Sequence, residues 1–463
     1  MSTTERTVSA QPAHGAARGG RWIDHWEPED PGFWEKTGKR VANRNLWFSI
    51  LVEHIGFSMW TVWSVLVLFM GPAYGVDPAG KFFLVSLPSL VGGLLRVPYA
   101  MAPVRFGGRN WTIISALLLL IPTVLAIVVM HPGTPYLTFV IVAVLGGLGG
   151  GNFASSMVNI NAFFPEGRKG WALGLNAGGG NIGVPVVQLL GLVVIATVGV
   201  AYPRLVLALY VPLILIAAVC AARYMDNISS VSNDTGALRE AVREAQTWVV
   251  AFLYLGSFGS FIGYSFAFGL VLQTQFGRSP LQTAAVAFIG PLIGSLIRPV
   301  GGWMADRLGG AKVTLWTFFG MALATGVVIL ASEQKSLPLF VAGFLALFVF
   351  SGMGNGSNYK MIPSIFNAKA QVAIAAGEPR QSALLRARRL SGAVIGIAGS
   401  IGAMGGLLIN VAFRQSFLTA KSGIPAFWSF LVFYAACILV TYIVYLPRAP
   451  FTAIQQSPAY VQV

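Results

Sequence analysis

Long apolar runs recur along this chain, and they constrain its fold more than any other feature. A transmembrane helix needs about 20 predominantly apolar residues. Irregular backbone and open sheet edges cannot face lipid, so runs of that length predict spanning helices. Twelve such runs occur, at residues 46–70, 82–102, 111–130, 137–164, 171–198, 204–222, 247–274, 283–305, 313–332, 338–366, 391–412 and 426–446. We therefore expect an all-α membrane protein with twelve transmembrane helices.

The composition excludes a soluble globular protein. Of the 463 residues, 55% are hydrophobic and 10% are charged, and the mean hydropathy is +0.70. The first run begins after residue 45 and is 25 residues long, which predicts a spanning helix and not a cleavable signal peptide. The longest internal polar stretch separates the runs into two sets of six. The predicted domains are an N-terminal tail (1–45), a six-helix bundle (46–222), a linker (223–246), a second six-helix bundle (247–446) and a C-terminal tail (447–463).

The basic residues predict the orientation. The formal net charge is +15, and with both termini in the cytoplasm 22 of the 31 Lys and Arg lie on that side and six lie in outer loops. This asymmetry follows the positive-inside rule, so we expect both tails and the linker to be cytoplasmic. The basic composition gives no reason to infer a nucleic-acid partner. Cys220 and Cys437 lie in separate apolar runs and predict no disulfide framework.

An internal repeat relates the two halves of the chain. LVGGLLRVPYAMAPVRFGG (90–108) matches LIGSLIRPVGGWMADRLGG (292–310) at a constant offset of 202 residues, and the arginine in the middle of each run coincides. GLGGGN (147–152) and GMGNGS (352–357) form a second pair at an offset of 205. Parallel repeats about an axis along the membrane normal are an architecture of secondary transporters. The repeat therefore predicts a transporter built from two similar bundles.

The C-terminal copy of the repeat resembles a signature of the major facilitator superfamily. GWMADRLGG (302–310) is similar to the Gly-x-x-x-Asp-Arg-x-Gly loop that follows the second helix of each half, with Asp306 and Arg307 at the charged positions. In the N-terminal copy Val104 replaces the acid. The resemblance implies two pseudo-twofold-related six-helix bundles, in which only the C-terminal loop makes the Asp-centred charge contacts.

Two arginines in the middle of apolar runs predict an anion site. A mid-helix arginine costs roughly 2.5–3.5 kcal/mol on insertion scales. In a pseudo-twofold fold, the matching depths of Arg96 and Arg298 place both beside one central cavity. Both stay charged at physiological pH, and two guanidinium forks suit a small planar oxyanion. The alternative is that each arginine binds helix carbonyls or an acid, and Glu53 is the acid that lies within a run.

Glycine clusters at 146–151, 174–183 and 351–356 predict close contact between helices. A second interpretation is that the repeat-related glycines let gating helices bend. Both interpretations stay open at this point, and packing is the one expected for any single glycine.

Longer stretches are similar to the nitrate/nitrite porter family. GGGNFASSMVNINAFFP (149–165), ALGLNAGGGNIG (172–183) and FSGMGNGSNYKMIPSIF (350–366) resemble its nitrate signatures. LYLGSFGSFIGYSFAF (253–268) and WEPEDPGFW (26–34) resemble its bacterial members. The resemblance covers the chain from about residue 24 to the last helix. It implies a transporter of nitrate and nitrite in the inner (plasma) membrane of a bacterium.

The same resemblance implies the residues of the binding site. These are Arg96 and Arg298 as the anion clamp, Asn181 and Tyr254 as hydrogen-bond donors, and Phe153 and Phe258 as rings that close on the planar face of the anion. Such a flat slot would exclude tetrahedral sulfate and phosphate. Without the resemblance, the phenylalanines would be interpreted as packing residues and the tyrosine as a buried hydroxyl bonded to a neighbouring helix. Asn152 and Asn159 are weaker candidates, interpreted as contacts between helices.

Three further residues are candidates for gating or proton coupling. Glu53 and Lys360 lie six or seven residues from the cytoplasmic ends of their runs, in helices that line the cavity in this superfamily. An ion pair between them would help to seal the inner side while the outside is open. The alternatives are a static ion pair, or a lysine that extends to the membrane interface. Glu53 and His54 are the titratable groups best placed to carry a proton with the anion.

Exchange of nitrate for nitrite is the predicted transport mode, because the two anions carry equal charge and their exchange needs no titratable group. Nitrate/proton symport is the alternative, and a non-transporting anion sensor on the same fold is a third interpretation. The histidines, at positions 14, 25, 54 and 131, form no cluster in the sequence, so we expect no enzyme, no metal site and no other cofactor. We expect a functional monomer in the lipid bilayer, with nitrate and nitrite as its ligands.

Overall fold

Transmembrane helices make up most of the chain. The structure, a computed structural model, describes residues 21–229 and 235–446. Within these residues eleven helices are long and apolar enough to cross a membrane, and a pair bent by 40° forms a twelfth. The bent helix α1 comprises Pro31–Thr61 and Trp63–Phe69. The other helices are α2 (Pro78–Phe106), α3 (Gly108–Val129), α4 (Tyr136–Phe163), α5 (Glu166–Val198), α6 (Pro203–Tyr224), the short connecting helix α7 (Thr235–Arg243), α8 (Ala245–Phe276), α9 (Pro280–Leu308), α10 (Gly310–Glu333), α11 (Leu337–Ala375), α12 (Arg380–Ala420) and α13 (Ile424–Tyr445). The predicted all-α membrane fold is confirmed.

Several helices extend beyond the apolar runs that predict them. The run at 391–412 corresponds to α12, which covers Arg380–Ala420, and α1 already begins at Pro31. A helix satisfies its backbone hydrogen bonds internally whatever the polarity of its side chains, so it continues where the hydropathy has fallen. The predicted tail 1–45 and linker 223–246 are therefore partly helical. Three parts of the predicted tails and linker lie outside the described residues, namely 1–20, 230–234 and 447–463.

The N-terminal residues pair with the segment that follows α6. The strand β1 (Trp22–Ile23) lies parallel to β2 (Asn227–Ile228). Next to them the buried carboxylate of Asp226 accepts hydrogen bonds from Arg21 Nε at 3.0 Å and from Arg44 Nη2 at 2.5 Å. We call the end of the helix bundle that contains these residues the tail face. The two strands and the Asp226 contacts fix the chain where it enters and leaves the first six transmembrane helices.

Aromatic side chains of the N-terminal segment pack on the connection between α4 and α5. The ring of Trp26 lies 5.3 Å from that of Phe163, and the ring of Trp34 lies 5.7 Å from that of Phe164. The backbone nitrogen of Glu166 also donates a 2.8 Å hydrogen bond to the side chain of Glu29. The N-terminal segment is thus attached to α4, α5 and α6 at the tail face.

At the opposite face the first six transmembrane helices contact the last six. The side-chain amide of Gln188 in α5 donates to the carbonyl of Ser265 in α8 at 2.8 Å. The ring of Phe82 in α2 stacks on Phe413 in α12, with centroids 5.4 Å apart. These buried contacts join helices from both halves, so the structure is a conformation closed at the face opposite the tail.

Glycines of all three clusters lie at close helix contacts, as the packing interpretation expects, although nothing lies within 4 Å of a Cβ atom added at Gly174 or Gly178. A Cβ atom on Gly147 would lie 3.0 Å from the backbone nitrogen of Gly92, and one on Gly352 would lie 2.3 Å from the carbonyl oxygen of Gly294. These two contacts occupy matching positions of the repeat. They pack α4 on α2 in the first half and α11 on α9 in the second. The segment Gly147–Gly151 is itself a 3₁₀ turn, which interrupts the α-helical hydrogen bonding of α4 at this contact.

Both copies of the first repeat end in the same backbone conformation. Gly107 has φ = +88° and Gly309 has φ = +92°, a region that glycine enters far more readily than other residues. Asp306 and Arg307 lie in the last turn of α9, before this bend. The prediction that they belong to a loop is therefore wrong by one turn, because the helix ends only where glycine allows the chain to reverse.

Candidate substrate-binding site

Arg96 lies in α2 and connects three helices. Its side chain is buried, with 1% of the residue exposed. Nη1 donates to the Gly399 carbonyl of α12 at 2.6 Å, and Nε donates to the Gly150 carbonyl of α4 at 3.4 Å. Nη2 is buried and has no hydrogen-bond partner among the described residues. Arg96 therefore binds helix carbonyls, as one sequence interpretation allows, and it keeps an unpaired donor for a ligand.

Three aromatic rings surround the Arg96 guanidinium. Its Cζ lies 4.7 Å from the ring centroid of Phe153, 5.3 Å from that of Phe258 and 5.6 Å from that of Trp60. Trp60 is held in place because its Nε1 donates to the Pro88 carbonyl at 2.7 Å. A cation over an aromatic face is stabilised by the ring quadrupole. The three rings thus orient the guanidinium. That Phe153 and Phe258 close on the planar face of an anion stays a prediction.

Arg298 occupies the repeat-related position in α9. It is 9% exposed, and its Nη1 is buried without a hydrogen-bond partner among the described residues. Its Cζ lies 5.1 Å from the ring centroid of Tyr359. That ring lies 5.2 Å from Tyr254, which in turn stacks on Phe258 at 5.2 Å. A row of three rings therefore extends from Arg298 to Phe258, which also lies over Arg96.

An irregular turn of α8 presents two of these rings. Tyr254 precedes a π-helical turn, Leu255–Gly259, and Phe258 lies within it. Such turns are often found at functional sites. The neighbouring helix α12 approaches closely because it carries glycine here, and a Cβ atom on Gly402 would lie 2.8 Å from the Tyr254 ring. The backbone irregularity and the small residue together place both aromatic side chains in the interior.

Asn181 lies where α5 is interrupted. The first part of this helix ends at Asn181, and the second part begins at Gly183. The Asn181 side chain is buried, and neither its oxygen nor its nitrogen has a partner among the described residues. The side-chain amide of Asn152 and the Oδ1 of Asn355 are also buried without a hydrogen-bond partner among the described residues. Buried amides normally have partners, so these three residues are candidates for contact with a polar ligand.

Glu53 and His54 take up different environments in α1. Glu53 is 1% exposed, and its Oε2 accepts hydrogen bonds from Ser156 Oγ and from Asn176 Nδ2, the latter at 2.5 Å. Its Oε1 is buried without a partner among the described residues. The half-buried His54 places Nδ1 3.2 Å from the Gly179 carbonyl. The acid therefore has an unused oxygen, while the imidazole is engaged with the backbone of α5.

Lys360 pairs with Asp306 in this conformation. The Lys360 Nζ lies 2.9 Å from the Asp306 Oδ2, and both side chains are about half exposed. The Glu53–Lys360 ion pair is not formed here, because Lys360 extends to the surface while Glu53 is held inside the first six helices. The sequence predicts the Glu53–Lys360 ion pair for a different conformation, the one closed at the inner side. For that conformation the ion pair stays a prediction. Arg307 is not part of the central site, since its guanidinium lies 4.3 Å from the ring of Trp303.

The two halves of the chain each contribute one candidate ligand for a small anion. Arg96 Nη2 and Arg298 Nη1 are buried donors on cationic groups, and neither is paired with a described residue. Leaving a charged donor buried and unpaired is costly. An anion that accepts from both nitrogens would satisfy them, and Tyr254 lies within electrostatic range of both guanidinium groups.

The fold matches a known superfamily. The profile of the Major Facilitator Superfamily matches residues 46–408. Among solved structures, a D-xylose-proton symporter has a TM-score of 0.64 at 16% identity, covering 87% of this chain and 96% of that one. The xylose transporter XylE from E. coli, in a partially occluded inward open conformation, has a TM-score of 0.63 at 14% identity. The match covers 88% of this chain and 98% of XylE. The chain belongs to the Major Facilitator Superfamily.

Two curated relatives identify the family more closely. The chain is 38% identical over 450 residues to the nitrate/nitrite transporter NarU of Salmonella typhimurium, which covers 92% of this chain and 97% of the relative. It is also 34% identical over 449 residues to the probable nitrate/nitrite antiporter NarK2 of Thermus thermophilus. That alignment covers 90% of this chain and 94% of the relative. The chain is therefore a member of the nitrate/nitrite porter family, as its motifs predict.

Proposed function

We propose that this protein is a secondary active transporter that moves nitrate and nitrite across a bacterial plasma membrane, one anion in exchange for the other. A single observation carries the proposal most directly. The unpaired donors Arg96 Nη2 and Arg298 Nη1 are buried, cationic and contributed by opposite halves of the chain. A small planar monoanion can accept a hydrogen bond from each of two such donors.

The clamp contributes electrostatic energy to the binding of a small monoanion. At an effective dielectric constant near 20, one guanidinium about 4 Å from a unit negative charge contributes roughly 4 kcal/mol. Two such groups offset much of the cost of removing water from the anion. Asn181 and Tyr254 then supply neutral donors that fix the orientation of the anion. The rings of Phe153 and Phe258 limit the thickness of the slot.

Alternating access follows from the position of the clamp between the halves. The conformation described here is closed at the face opposite the tail, where Gln188 binds Ser265. With the tail face in the cytoplasm, as the basic residues predict, this conformation is closed to the outer side of the membrane. With an anion bound, the two arginines can approach each other. Without one, the repulsion between them opposes closure, and exchange is favoured over one-way movement.

Counterflow in proteoliposomes tests the proposal. Purified protein, with labelled nitrate outside and nitrite inside, is expected to take up nitrate only while internal nitrite is present, whatever the pH gradient. Uptake that ignores internal nitrite and follows the pH gradient instead would assign symport. Binding without any flux would assign an anion sensor. Activity that scales with the protein-to-lipid ratio down to one copy per vesicle would support a functional monomer.

Nitrate/proton symport is the second candidate, and one observation favours it. Glu53 is an acid buried in the transmembrane region with an oxygen that has no partner among the described residues. Pure exchange of two monoanions has no use for such a group.

A further inference from the structure

The connecting helix α7 has a buried edge and an exposed apolar edge side by side. Residues four apart lie above one another on a helix. Ala237 and Ala241 form the buried edge, and α7 packs on α12. Leu238 and Val242 form the next edge, and they are 37% and 45% exposed. The helix therefore presents two large apolar side chains that its own protein does not cover.

The acids of this segment are already paired inside the protein. The Nε of Arg386 in α12 donates to Glu240 Oε1 at 2.6 Å. Lys369 of α11 forms an ion pair with Glu244, the residue that follows α7. Both acids thus bind α7 to the tail-face ends of two transmembrane helices. Their negative charge is compensated and does not extend to the surface of α7.

The basic residues of α7 are arranged differently. Arg239 and Arg243 lie four residues apart, next to the apolar edge, and both are exposed. Neither forms an ion pair with another residue of the described ranges 21–229 and 235–446. The exposed Arg388 and Arg389 of α12 add positive charge to the same end of the bundle. The exposed surface of α7 is therefore apolar along one edge and cationic along the next.

Contacts with the first turn of α8 fix the depth of α7 in the membrane. Thr247 Oγ1 donates to the Ala241 carbonyl at 2.6 Å, and Trp248 Nε1 donates to the Val242 carbonyl at 2.9 Å. Trp248 is 52% exposed at the start of a transmembrane helix, and tryptophan is enriched where hydrocarbon meets water. The two hydrogen bonds hold α7 at this same level.

We propose that α7 lies in the membrane interface at the tail face and binds the headgroups of anionic phospholipids. Leu238 and Val242 enter the boundary between headgroups and acyl chains, while Arg239 and Arg243 extend to the lipid phosphates. A helix with an apolar edge beside basic residues binds such an interface, and a negative headgroup strengthens the binding. The inference does not depend on the anion that the protein transports.

The first experiment measures binding of anionic lipid to the full-length protein. Delipidated protein in detergent is titrated with phosphatidylglycerol or with zwitterionic phosphatidylcholine, and the thermal unfolding temperature is recorded. A ligand of the folded state raises this temperature, so phosphatidylglycerol should raise it more than phosphatidylcholine in wild type. Salt at about 0.5 M should reduce the difference. The double variant Arg239→Gln, Arg243→Gln should need about thirtyfold more phosphatidylglycerol for half the effect, the ratio that corresponds to about 1 kcal/mol per arginine.

The double variant Lys36→Gln, Arg40→Gln is the matched control. It also removes two exposed basic residues four positions apart at the tail face, but from the start of α1, and it should respond to phosphatidylglycerol like wild type. Equal responses of the two double variants would overturn the proposal, because the effect would then follow net charge alone. Wild type that does not distinguish the two lipids would overturn it as well.

A second experiment tests the apolar edge without changing the arginines. A nitroxide label is attached at Leu238→Cys in protein that also carries Cys220→Ala and Cys437→Ala, and the protein is placed in vesicles that contain phosphatidylglycerol. The label should be relaxed more by oxygen, which concentrates in lipid, than by a water-soluble nickel complex. The same label at Lys36→Cys should show the reverse. A label at position 238 that is relaxed mainly by nickel would overturn the proposal, since the edge would then face water, where a protein partner or a second copy could cover it.

Discussion

Arg96 Nη1 donates a 2.6 Å hydrogen bond to the carbonyl of Gly399, 303 residues further along the chain. The bond joins α2 of the first half to α12 of the second. Ser89 of α2 also donates to the Ala403 carbonyl of α12, at 2.7 Å. The arginine proposed to bind the anion is thus one of the groups that hold the two halves together. Movement of Arg96 toward an anion would weaken a contact between the halves.

Replacing Arg96 by lysine is expected to weaken nitrate binding. Lysine keeps the charge but loses the planar fork that serves Gly150, Gly399 and a ligand together. Loss of one charge-assisted hydrogen bond, about 1.5–3 kcal/mol, corresponds to a ten- to 150-fold loss of affinity. The concentration dependence of nitrate counterflow measures it. Arg105→Lys, near the end of the same helix, should behave like wild type. Unchanged affinity in Arg96→Lys would contradict the clamp.

Phe153→Leu tests the aromatic ring over Arg96. The variant stays apolar and buried but loses a cation–π contact of about 0.5–2 kcal/mol. The half-saturating nitrate concentration should rise by about two- to thirtyfold, the same energy expressed as a ratio. Phe139→Leu is the control, because Phe139 is equally buried in α4 but packs on Trp63. If the two variants lose affinity equally, the ring acts through packing alone.

Gly352→Ala tests the close helix contact in the second half. The new Cβ would lie 2.3 Å from the Gly294 carbonyl oxygen, and overpacking of this kind costs about 1–3 kcal/mol. The thermal unfolding temperature in detergent should fall. Gly178→Ala, at a position with nothing within 4 Å of the added atom, should unfold no earlier than wild type. Equal behaviour of both variants would show that the glycines serve another purpose.

A charge exchange tests the predicted inner gate. Glu53→Lys and Lys360→Glu should each reduce nitrate counterflow, and the double variant should restore it if the two side chains pair in the other conformation. Asp306→Asn removes the partner that Lys360 has here, and an ion pair exposed to this extent contributes only about 0–1 kcal/mol. Its unfolding temperature should therefore change little. Failure of the double variant to restore transport would count against the gate.

Asp226→Asn should destabilise the attachment of the N-terminal segment. The carboxylate accepts from Arg21 and Arg44, whose side chains are 30% and 35% exposed, and loss of hydrogen bonds to a charged group costs about 1.5–3 kcal/mol. Limited proteolysis and the thermal unfolding temperature would report the change. Asp24→Asn is the matched control, because Asp24 is exposed and accepts a hydrogen bond from Ser229. Equal stability of the two variants would mean that the buried carboxylate is not the anchor.

The number of helices and the depth of the two arginines could be predicted because each depends on a local property. Hydropathy over about 20 residues indicates the length of hydrocarbon crossed, and the repeat aligns Arg96 with Arg298 without reference to packing. The ends of the helices were less predictable. The segment from Arg380 to Arg389 is polar yet helical, and hydropathy carries no signal for a helix that continues into water.

The partners of the arginines could not be predicted from local properties. The contacts of the two guanidinium groups form only when α1, α11 and α12 are packed against α2 and α9. Arg96 then contacts Trp60 and the Gly399 carbonyl, and Arg298 contacts Tyr359. A tryptophan in an apolar run or a carbonyl within a helix has no distinguishing signal in one sequence. The pairing of Lys360 depends further on the conformational state, which the sequence does not encode at any single position.

The parallel strands near the N-terminus have a consequence for biogenesis. β1, β2 and the Asp226 contacts all lie within residues 21–229, so the chain begins and ends its first half at the same point. This closure needs no residue from α8 onward. These contacts can therefore form while the ribosome is still synthesising the second half.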